Sequence, residues 1–207
     1  ALGGQAIMPK TIEPSPYSAS QYQLPRVPQE ILQKVNAVIH SPLALALRRE
    51  AYIAGLEGAE LAQFIAQCAH ETQNFMSLKE YGGSLDFRQY DIRYNPQKAK
   101  ILGNTKPGDG ARYHGRGFIQ LTGRYNYKKA GEALGLPLEA RPELVERPDI
   151  AAKGAVWYWQ SRVAPKVDNF KDTRAVTKPI NSGLRGLKDR EDKFNAIMQI
   201  LNTPVTR

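Results

Sequence analysis

The feature that most constrains the fold is an apolar stripe with helical spacing between residues 58 and 75. Its members lie close together on a helical wheel drawn at about 100° per residue, and they are Leu61, Phe64, Ile65, Cys68, Thr72 and Phe75. A helix of this kind owes most of its stability to packing of its apolar face. Because further segments with the same period lie before and after it, the sequence predicts a mainly α-helical fold.

Proline, serine and glycine mark where the other predicted helices begin and end. A first helix starts near Pro28 and runs to Ile39, and Ser41 followed by Pro42 fits the start of a second helix that ends near Ala54. Further helices are expected at about 122–134, 148–161, 170–178 and 186–201, and the polar stretch 85–110 holds at most a short helix around 96–102.

The segment 113–122 has a different pattern, because polar and apolar residues alternate in it. Gly115 and Gly117 bracket Arg116, where the backbone must turn tightly. The segment therefore predicts a small β-hairpin.

Residues 1–28 hold five of the fourteen prolines and show little apolar periodicity. We therefore expect an extended arm or linker over residues 1–26 and one domain over residues 27–207. No apolar run approaches the roughly 18 residues that span a bilayer, so stable membrane insertion is not expected. The single cysteine, Cys68, allows no internal disulfide and fits a small buried hydrophobe.

The positive charge of the chain is concentrated in one segment. The formal net charge is +9, and residues 84–130 hold ten basic and three acidic residues, which is +7 of that total. Such a field favours a polyanionic partner, which could be nucleic acid, anionic lipid or a bacterial wall polymer. The alternative is a solvated basic surface without a partner.

Two glutamates in this chain suggest a chemistry. Glu71 lies at the edge of the apolar stripe, where apolar neighbours would keep a carboxyl protonated as a general acid. On a straight helix Glu80 would lie roughly 13 Å farther along, but the Tyr-Gly-Gly sequence at 81–83 predicts that the helix stops and that Glu80 returns on a loop. A glycosidic bond can be cut by two such carboxylates, one as acid and one as base.

Other chemistries lack their residues. A zinc motif beginning at His70 would need a second histidine at position 74, which is Asn74. The glycine-rich stretch at 103–110 lacks the ending of a phosphate-binding loop, and no nucleophile elbow is present. We therefore expect no metal and no cofactor.

Three blocks of the sequence resemble glycoside hydrolase family 19, and more narrowly its phage-type endolysin branch. They are AQFIAQCAHETQNF at 62–75, GDGARYHGRGFIQLTGRYNY at 108–127 and INSGLRGLKDR at 180–190. The similarity covers roughly residues 40–202. It implies a lysozyme-like, mainly helical domain with two lobes flanking a sugar-binding cleft, and the small hairpin would lie beside that cleft.

The resemblance also assigns roles. Glu71 matches the general acid and Glu80 the general base of an inverting reaction, while Thr122 matches the hydroxyl residue that helps to hold the attacking water. The positions expected to bind the substrate are His70, Tyr113, Gln120, Tyr125 and Asn126, and Asn181 and Arg190 match a polar pair that borders the acid and the base on the substrate side.

The function expected from the resemblance is hydrolysis of the amino-sugar backbone of peptidoglycan. Plant chitinases of the family have a longer acid-to-base segment and several disulfides, which this chain lacks. Three alternatives remain open: a chitinase acting on N-acetylglucosamine polymers, a lytic transglycosylase working from one glutamate, and a non-catalytic wall-binding or nucleic-acid-binding module.

The expected partners are peptidoglycan glycan strands and no nucleic acid, since no nucleic-acid-binding motif is recognised. We expect a monomer that is made in the cytoplasm of a host bacterium and acts on the cell wall from the periplasm. Association with a virion is an alternative for the arm.

Overall fold

The structure, a computed structural model, describes residues 24–202, and α-helices dominate this part of the chain. Their bounds are α1 (Gln29–Val38), α2 (Pro42–Ile53), α3 (Gly58–Glu71), α4 (Pro96–Leu102), α5 (Asp109–Arg112), α6 (Arg124–Leu134), α7 (Pro148–Tyr158), α8 (Thr173–Thr177) and α9 (Leu187–Asn202). The predicted mainly α-helical class is confirmed.

Helix α3 lies at the centre of the fold. All eight residues from Ala62 to Ala69 are buried, because α2, α8 and α9 pack around this helix. The stripe predicted one apolar face, but two polar residues of α3, Gln63 and Gln67, are buried as well. Gln63 donates to Thr173 Oγ1 at 2.8 Å and Gln67 donates to Thr177 Oγ1 at 3.0 Å, so their amides are satisfied inside the protein.

Two hydrophobic clusters give the molecule two lobes. The larger cluster joins α1, α2, α3 and α9 with one side of α7. The smaller cluster lies beyond α7 and consists of Tyr113, Tyr127, Ala130, Leu138, Val145 and Ile150. Helix α7 contributes Ala151 and Ala155 to the larger cluster and Ile150 to the smaller one, so it connects the lobes.

The hairpin predicted for residues 113–122 is reduced to isolated bridges. Arg116 and Leu121 exchange two backbone hydrogen bonds, of 3.1 and 2.7 Å, and Arg116 also pairs with Lys79. No longer ladder forms within residues 24–202, because the four residues between Arg116 and Leu121 are all in the turn. The turn nevertheless ties the loop after α3 to the segment before α6.

Most of the predicted arm lies outside the described residues. Within the described part, Val27 is buried and Leu24 already packs on the larger cluster, three residues before the predicted start of the domain. Helix α7 continues after Tyr158 as a single π-helical turn, Trp159–Val163, and Trp159 is buried. Between residues 24 and 202 no helix combines the length and apolarity needed to cross a membrane.

Candidate active site

The two predicted carboxylates open into one groove. It has a volume of about 180 Å³ and is lined by Glu71, Thr72, Gln73, Ser77, Lys79, Glu80, Tyr81 and Gln120. Glu71 is the last residue of α3, Glu80 lies on the loop that follows, and Gln120 comes from the turn at 116–121. Helix α3 ends at Glu71, earlier than the stripe predicted, and this early end allows Glu80 to return to the same groove.

Glu71 is held by a buried cation. Arg190 of α9 is only 1% exposed, and its Nη2 donates to Glu71 Oε1 at 2.6 Å. The same guanidinium donates to Gln67 Oε1 at 2.6 Å and to the Arg185 carbonyl at 3.0 Å. A guanidinium with three fixed acceptors is rigid, so Arg190 fixes the position of this carboxylate.

This arrangement corrects the expected surroundings of Glu71. The helical wheel placed Glu71 at the edge of the stripe that includes Phe75, but Phe75 lies beyond the end of α3 and packs edge-on against Phe118. The side chain that donates a hydrogen bond to Glu71 is instead Arg190, which is 119 positions away in sequence. Arg190 is therefore a positioning residue in this structure, and its burial does not suit direct contact with a substrate.

Glu80 is held by two neutral donors. Its backbone N–H donates to the Gly115 carbonyl at 2.9 Å, and the Gly115 N–H donates back to Glu80 Oε2 at 2.9 Å. The Tyr90 hydroxyl donates to Glu80 Oε1 at 2.9 Å. Both carboxylate oxygens thus accept a hydrogen bond, which fixes the rotamer and suits a group that acts as a base.

Tyr90 is itself held by a stack of rings. Phe87 lies between Tyr90, at 6.5 Å, and His114, at 4.5 Å. Burial, and then the Glu80 carboxylate, raise the pKa of Tyr90 to about 12, so Tyr90 stays a proton donor at neutral pH. Burial and the nearby Arg116 charge lower the pKa of His114. A neutral imidazole stacked on Phe87 keeps this support free of a competing charge.

Thr122 belongs to a chain of hydrogen bonds that reaches the π-helical turn after α7. Its hydroxyl donates to the Gln120 carbonyl at 3.0 Å, and its own carbonyl accepts from Asn126 Nδ2 at 2.8 Å. Asn126 Oδ1 accepts from Arg162 Nη1 at 2.7 Å. Both ends of the Asn126 amide are occupied by protein, so in this structure Asn126 positions Thr122.

Gly115 is the point where three predicted site residues meet. A Cβ at this position would stand 2.5 Å from Gln120 Oε1, 2.9 Å from Glu80 Oε2 and 3.3 Å from Thr122 Oγ1. These are the ends of side chains, so they can move aside, but they are also the groups expected to act on the substrate. The absence of a side chain at 115 is what lets them converge.

We therefore expect Gly115→Ala to reduce activity by about 10- to 100-fold, because a displacement of about 1 Å at reacting groups has effects of this size. The free energy of unfolding should change by less than about 1 kcal/mol, since only flexible side-chain ends must move. Gly83→Ala is the matched control, because a Cβ there meets nothing within 4 Å. Initial rates and urea denaturation would be measured for both. If Gly115→Ala lost stability together with activity, unfolding would explain the lost activity, and this result would contradict a role of Gly115 at the site.

The turn after Glu71 is strained. Gln73, Asn74 and Phe75 have φ values of 50°, 64° and 61°, the left-handed region that disfavours residues with a side chain. Thr72 holds this turn, because its hydroxyl donates to the Cys68 carbonyl at 2.7 Å and accepts from the Phe75 N–H at 2.9 Å. The left-handed conformation of these three residues turns the chain away immediately after the candidate acid, Glu71.

Gln73→Gly is expected to raise the free energy of unfolding by about 0.5–1 kcal/mol, since glycine removes the left-handed cost but adds entropy to the unfolded chain. The same replacement at Gln97, which is exposed within α4, should lower it by about 1 kcal/mol. Denaturant unfolding of the two variants would give opposite signs. A loss of stability in Gln73→Gly would mean that its side chain, and not the backbone, maintains the turn.

Other predicted substrate-binding residues lie elsewhere. Tyr113 does not line the catalytic groove: its ring is buried in the smaller cluster and its hydroxyl donates to the Glu139 carbonyl at 2.6 Å. Tyr125 is 49% exposed at the start of α6 and remains available. Asn181 Oδ1 accepts from the Arg185 N–H at 3.3 Å.

His70 lies on the α9 side of Glu71. Its Nδ1 is 2.6 Å from Asp189 Oδ2, and its ring occupies the space where a Cβ of residue 186 would stand. Burial opposes the ionisation of Asp189, but the contacts with His70 and Lys193 outweigh it and lower the Asp189 pKa. His70 is thus joined to α9 beside Arg190.

Sequence reasoning missed four residues that hold the site: Tyr90, Gly115, Gln67 and Arg162. Tyr90 and Arg162 belong to the site only through hydrogen bonds to residues that are not their neighbours in sequence, Glu80 and Asn126. Gln67 had a signal, since a glutamine one helical turn before Glu71 lies on the same side of α3. Gly115 had a signal as well, since a glycine can mark either a tight turn or a place where other groups come close to the backbone. From the sequence alone we interpret it only as a turn residue.

Comparison with known proteins finds relatives of this chain. A family model described as chitinase class I, Glyco_hydro_19, matches residues 50–205. A glycosyl hydrolase family 19 domain-containing protein of Haemophilus influenzae is 34% identical over 159 residues, which is 66% of this chain and 78% of that protein. An endochitinase of Arabidopsis thaliana is 34% identical over 142 residues, 68% of this chain but 45% of the endochitinase.

The fold is also found among solved structures. Chitinase C from Streptomyces griseus superposes with a TM-score of 0.59 at 28% identity, covering 87% of this chain and 95% of that one. A bacterial family 19 chitinase gives a TM-score of 0.61 at 22% identity, which speaks for the fold alone. The span matched by the family model contains every residue predicted for the site.

Proposed function

The chain belongs to glycoside hydrolase family 19 and is a glycosidase with the lysozyme-like fold, and from that premise we propose that it hydrolyses the amino-sugar backbone of bacterial peptidoglycan. The observation that carries this proposal is the basic segment 84–130. Eight of its ten cations are exposed: Arg88, Arg93, Lys98, Lys100, Lys106, Arg112, Lys128 and Lys129. Peptidoglycan carries carboxylates on its peptides, whereas chitin is uncharged, so only the former would be attracted by this surface.

The proposed reaction is a single displacement with inversion. Glu71 donates its proton to the glycosidic oxygen as the bond to the anomeric carbon breaks. Glu80 takes a proton from a water molecule, whose oxygen forms the new bond on the opposite face of the sugar. The Thr122 hydroxyl helps to place that water, and Tyr90 and Gly115 keep Glu80 in position.

A chitinase acting on N-acetylglucosamine polymers is the second candidate. It is favoured by the likeness to an Arabidopsis endochitinase and to chitinase C of Streptomyces griseus. The chain spans about half the length of the plant endochitinases that it matches, so their activity is not carried over whole.

The two substrates are distinguished by direct comparison. Purified peptidoglycan and chitin oligosaccharides would be digested in parallel, and the new reducing-end sugars identified by mass spectrometry. We expect a higher kcat/KM on peptidoglycan strands than on chitin oligosaccharides of equal length, and no products from either with Glu71→Gln. A higher kcat/KM on the chitin oligosaccharides would favour the chitinase and contradict the proposed substrate.

The proposed setting is lysis of a bacterium by a bacteriophage. In this setting the enzyme accumulates in the host cytoplasm and reaches the wall from the periplasm. The lone, buried Cys68 supports this, because a fold without disulfides is stable in a reducing compartment. Expression of the chain in a bacterium, with and without a pore-forming protein, would test it, and we expect lysis only when the inner membrane is opened.

A further inference from the structure

A second and larger groove lies between α6 and the loop that follows it. Its volume is about 810 Å³, and it shares no lining residue with the catalytic groove. One face of α6 forms a wall with Arg124, Lys128, Gly131 and Glu132, while the 135–140 loop and Lys106 to Tyr113 form the rest. We call it the α6 groove. Its size is in the range of pockets that hold ligands.

The carboxylates of the α6 groove are all neutralised by neighbours. Asp109 receives two hydrogen bonds from Arg124, of 2.7 and 2.9 Å, and further ones from the backbone N–H groups of Thr105 and Lys106. Burial opposes the ionisation of Asp109, but these donors outweigh it and lower its pKa. Glu139 lies 3.1 Å from Arg124 Nη1.

The remaining carboxylate, Glu132, is paired with a cation outside the groove, because Lys129 Nζ lies 3.6 Å from its Oε2. Arg124 is thus the one lining cation that forms ion pairs with the acidic side chains of the groove. Its two ion pairs also fix it against the groove wall, so it presents little charge to a ligand.

Three lining cations are left over. Within residues 24–202, Lys106, Arg112 and Lys128 form no ion pair, and all three are exposed. Arg112 is nevertheless fixed, because its Nη2 donates to the Ala140 carbonyl at 2.7 Å and its Nε donates to the Tyr113 hydroxyl at 3.2 Å. The groove therefore has an uncompensated positive charge around a preformed guanidinium.

The rest of the lining is apolar. Leu136 is partly buried, and Pro107 and Pro137 are exposed beside it. Such a surface suits a chain whose backbone packs on prolines and leucine and whose anionic groups reach the cations at the rim.

We propose that the α6 groove is a second binding site of this enzyme, which holds the carboxylate-bearing stem peptides of a peptidoglycan strand apart from the point of cleavage. The ligand rests on the substrate proposed above, while the location and charge of the groove do not. A strand held there would keep the enzyme on the wall between cuts.

The test compares two double variants with the same change in net charge. Lys106→Gln with Lys128→Gln removes two cations of the α6 groove, and Lys98→Gln with Lys100→Gln removes two exposed lysines of α4 that do not line it. Binding of soluble peptidoglycan strands would be measured by calorimetry at low salt, with each pair placed in the Glu80→Gln chain so that no strand is cut.

We expect the first pair to weaken binding by about five-fold and the control pair by less than two-fold. Strands from which the stem peptides have been removed should bind the Glu80→Gln chain and the two double variants made in it equally. In the active enzyme, the kcat/KM for a neutral N-acetylglucosamine hexamer should stay unchanged in both pairs.

An equal loss of affinity in both pairs would show a net-charge effect and overturn the second site, and so would unchanged binding in the first pair. These outcomes do not depend on which linkage is cut. Failure of the wild-type chain to cleave peptidoglycan would instead overturn the proposed function, since binding is measured separately.

Discussion

Glu71→Gln is expected to lower the rate of glycan hydrolysis by at least about 100-fold, because general acid catalysis of this kind contributes about 10²- to 10⁴-fold. An amide cannot donate the proton that the leaving oxygen needs. The fold should persist, since the glutamine oxygen can still accept from Arg190 Nη2, whose two other acceptors, Gln67 and the Arg185 carbonyl, are untouched. Initial rates on peptidoglycan and thermal unfolding would be measured together.

Glu57→Gln provides the control, because Glu57 is exposed at the opposite end of α3 and its side chain forms no capping hydrogen bond. It should retain wild-type activity and stability. If Glu71→Gln kept more than about a tenth of the wild-type rate, the proton would have to come from another group and Glu71 would lose its role.

The helices were largely predictable because their signals are local. The start of α2 follows from Ser41 and Pro42, and α4 also begins at a proline, Pro96. The end of α3 was misjudged because the periodic pattern continues to Phe75, whereas the chain enters a left-handed turn at Gln73. The turn holds no glycine, and Asn74 is its one residue of a type that tolerates the left-handed region, so the sequence marks the turn only weakly.

The site was predictable only as far as its family motif reaches. Glu71, Glu80 and Gln120 do line one groove, but the surroundings of Glu71 were predicted from α3 alone. Its partner Arg190 comes from α9 and is buried, which a helical wheel of either helix cannot reveal. Tyr113 shows the same limit in reverse, since an aromatic residue in a polar loop suggests sugar contact, whereas the structure places its ring in the smaller cluster and outside the catalytic groove.

Glu80→Gln, made as a single substitution, is expected to reduce product formation by about 10²- to 10⁴-fold, because the amide cannot take the proton from the attacking water. The glutamine can keep one of the two hydrogen bonds that now come from Tyr90 and Gly115, so the loop should stay in place. Thr122→Ala and Tyr90→Phe should cause smaller losses. The former removes a hydroxyl that only assists the water, and the latter leaves the Gly115 N–H on Glu80.

This series separates hydrolysis from transglycosylation, in which the 6-hydroxyl of the substrate itself attacks the anomeric carbon. A transglycosylase needs one acid/base residue, so it would survive the loss of Glu80 and release 1,6-anhydro sugars. A hydrolase that inverts gives ordinary reducing ends, and NMR of a fresh digest should show the opposite anomer to that of the bond cut. Anhydro ends from the wild-type enzyme, or near-normal rates in Glu80→Gln, would reject the two-carboxylate mechanism. Arg190 holds the Glu71 carboxyl in place, and two neutral donors hold that of Glu80, so each variant changes a side chain whose position the structure fixes.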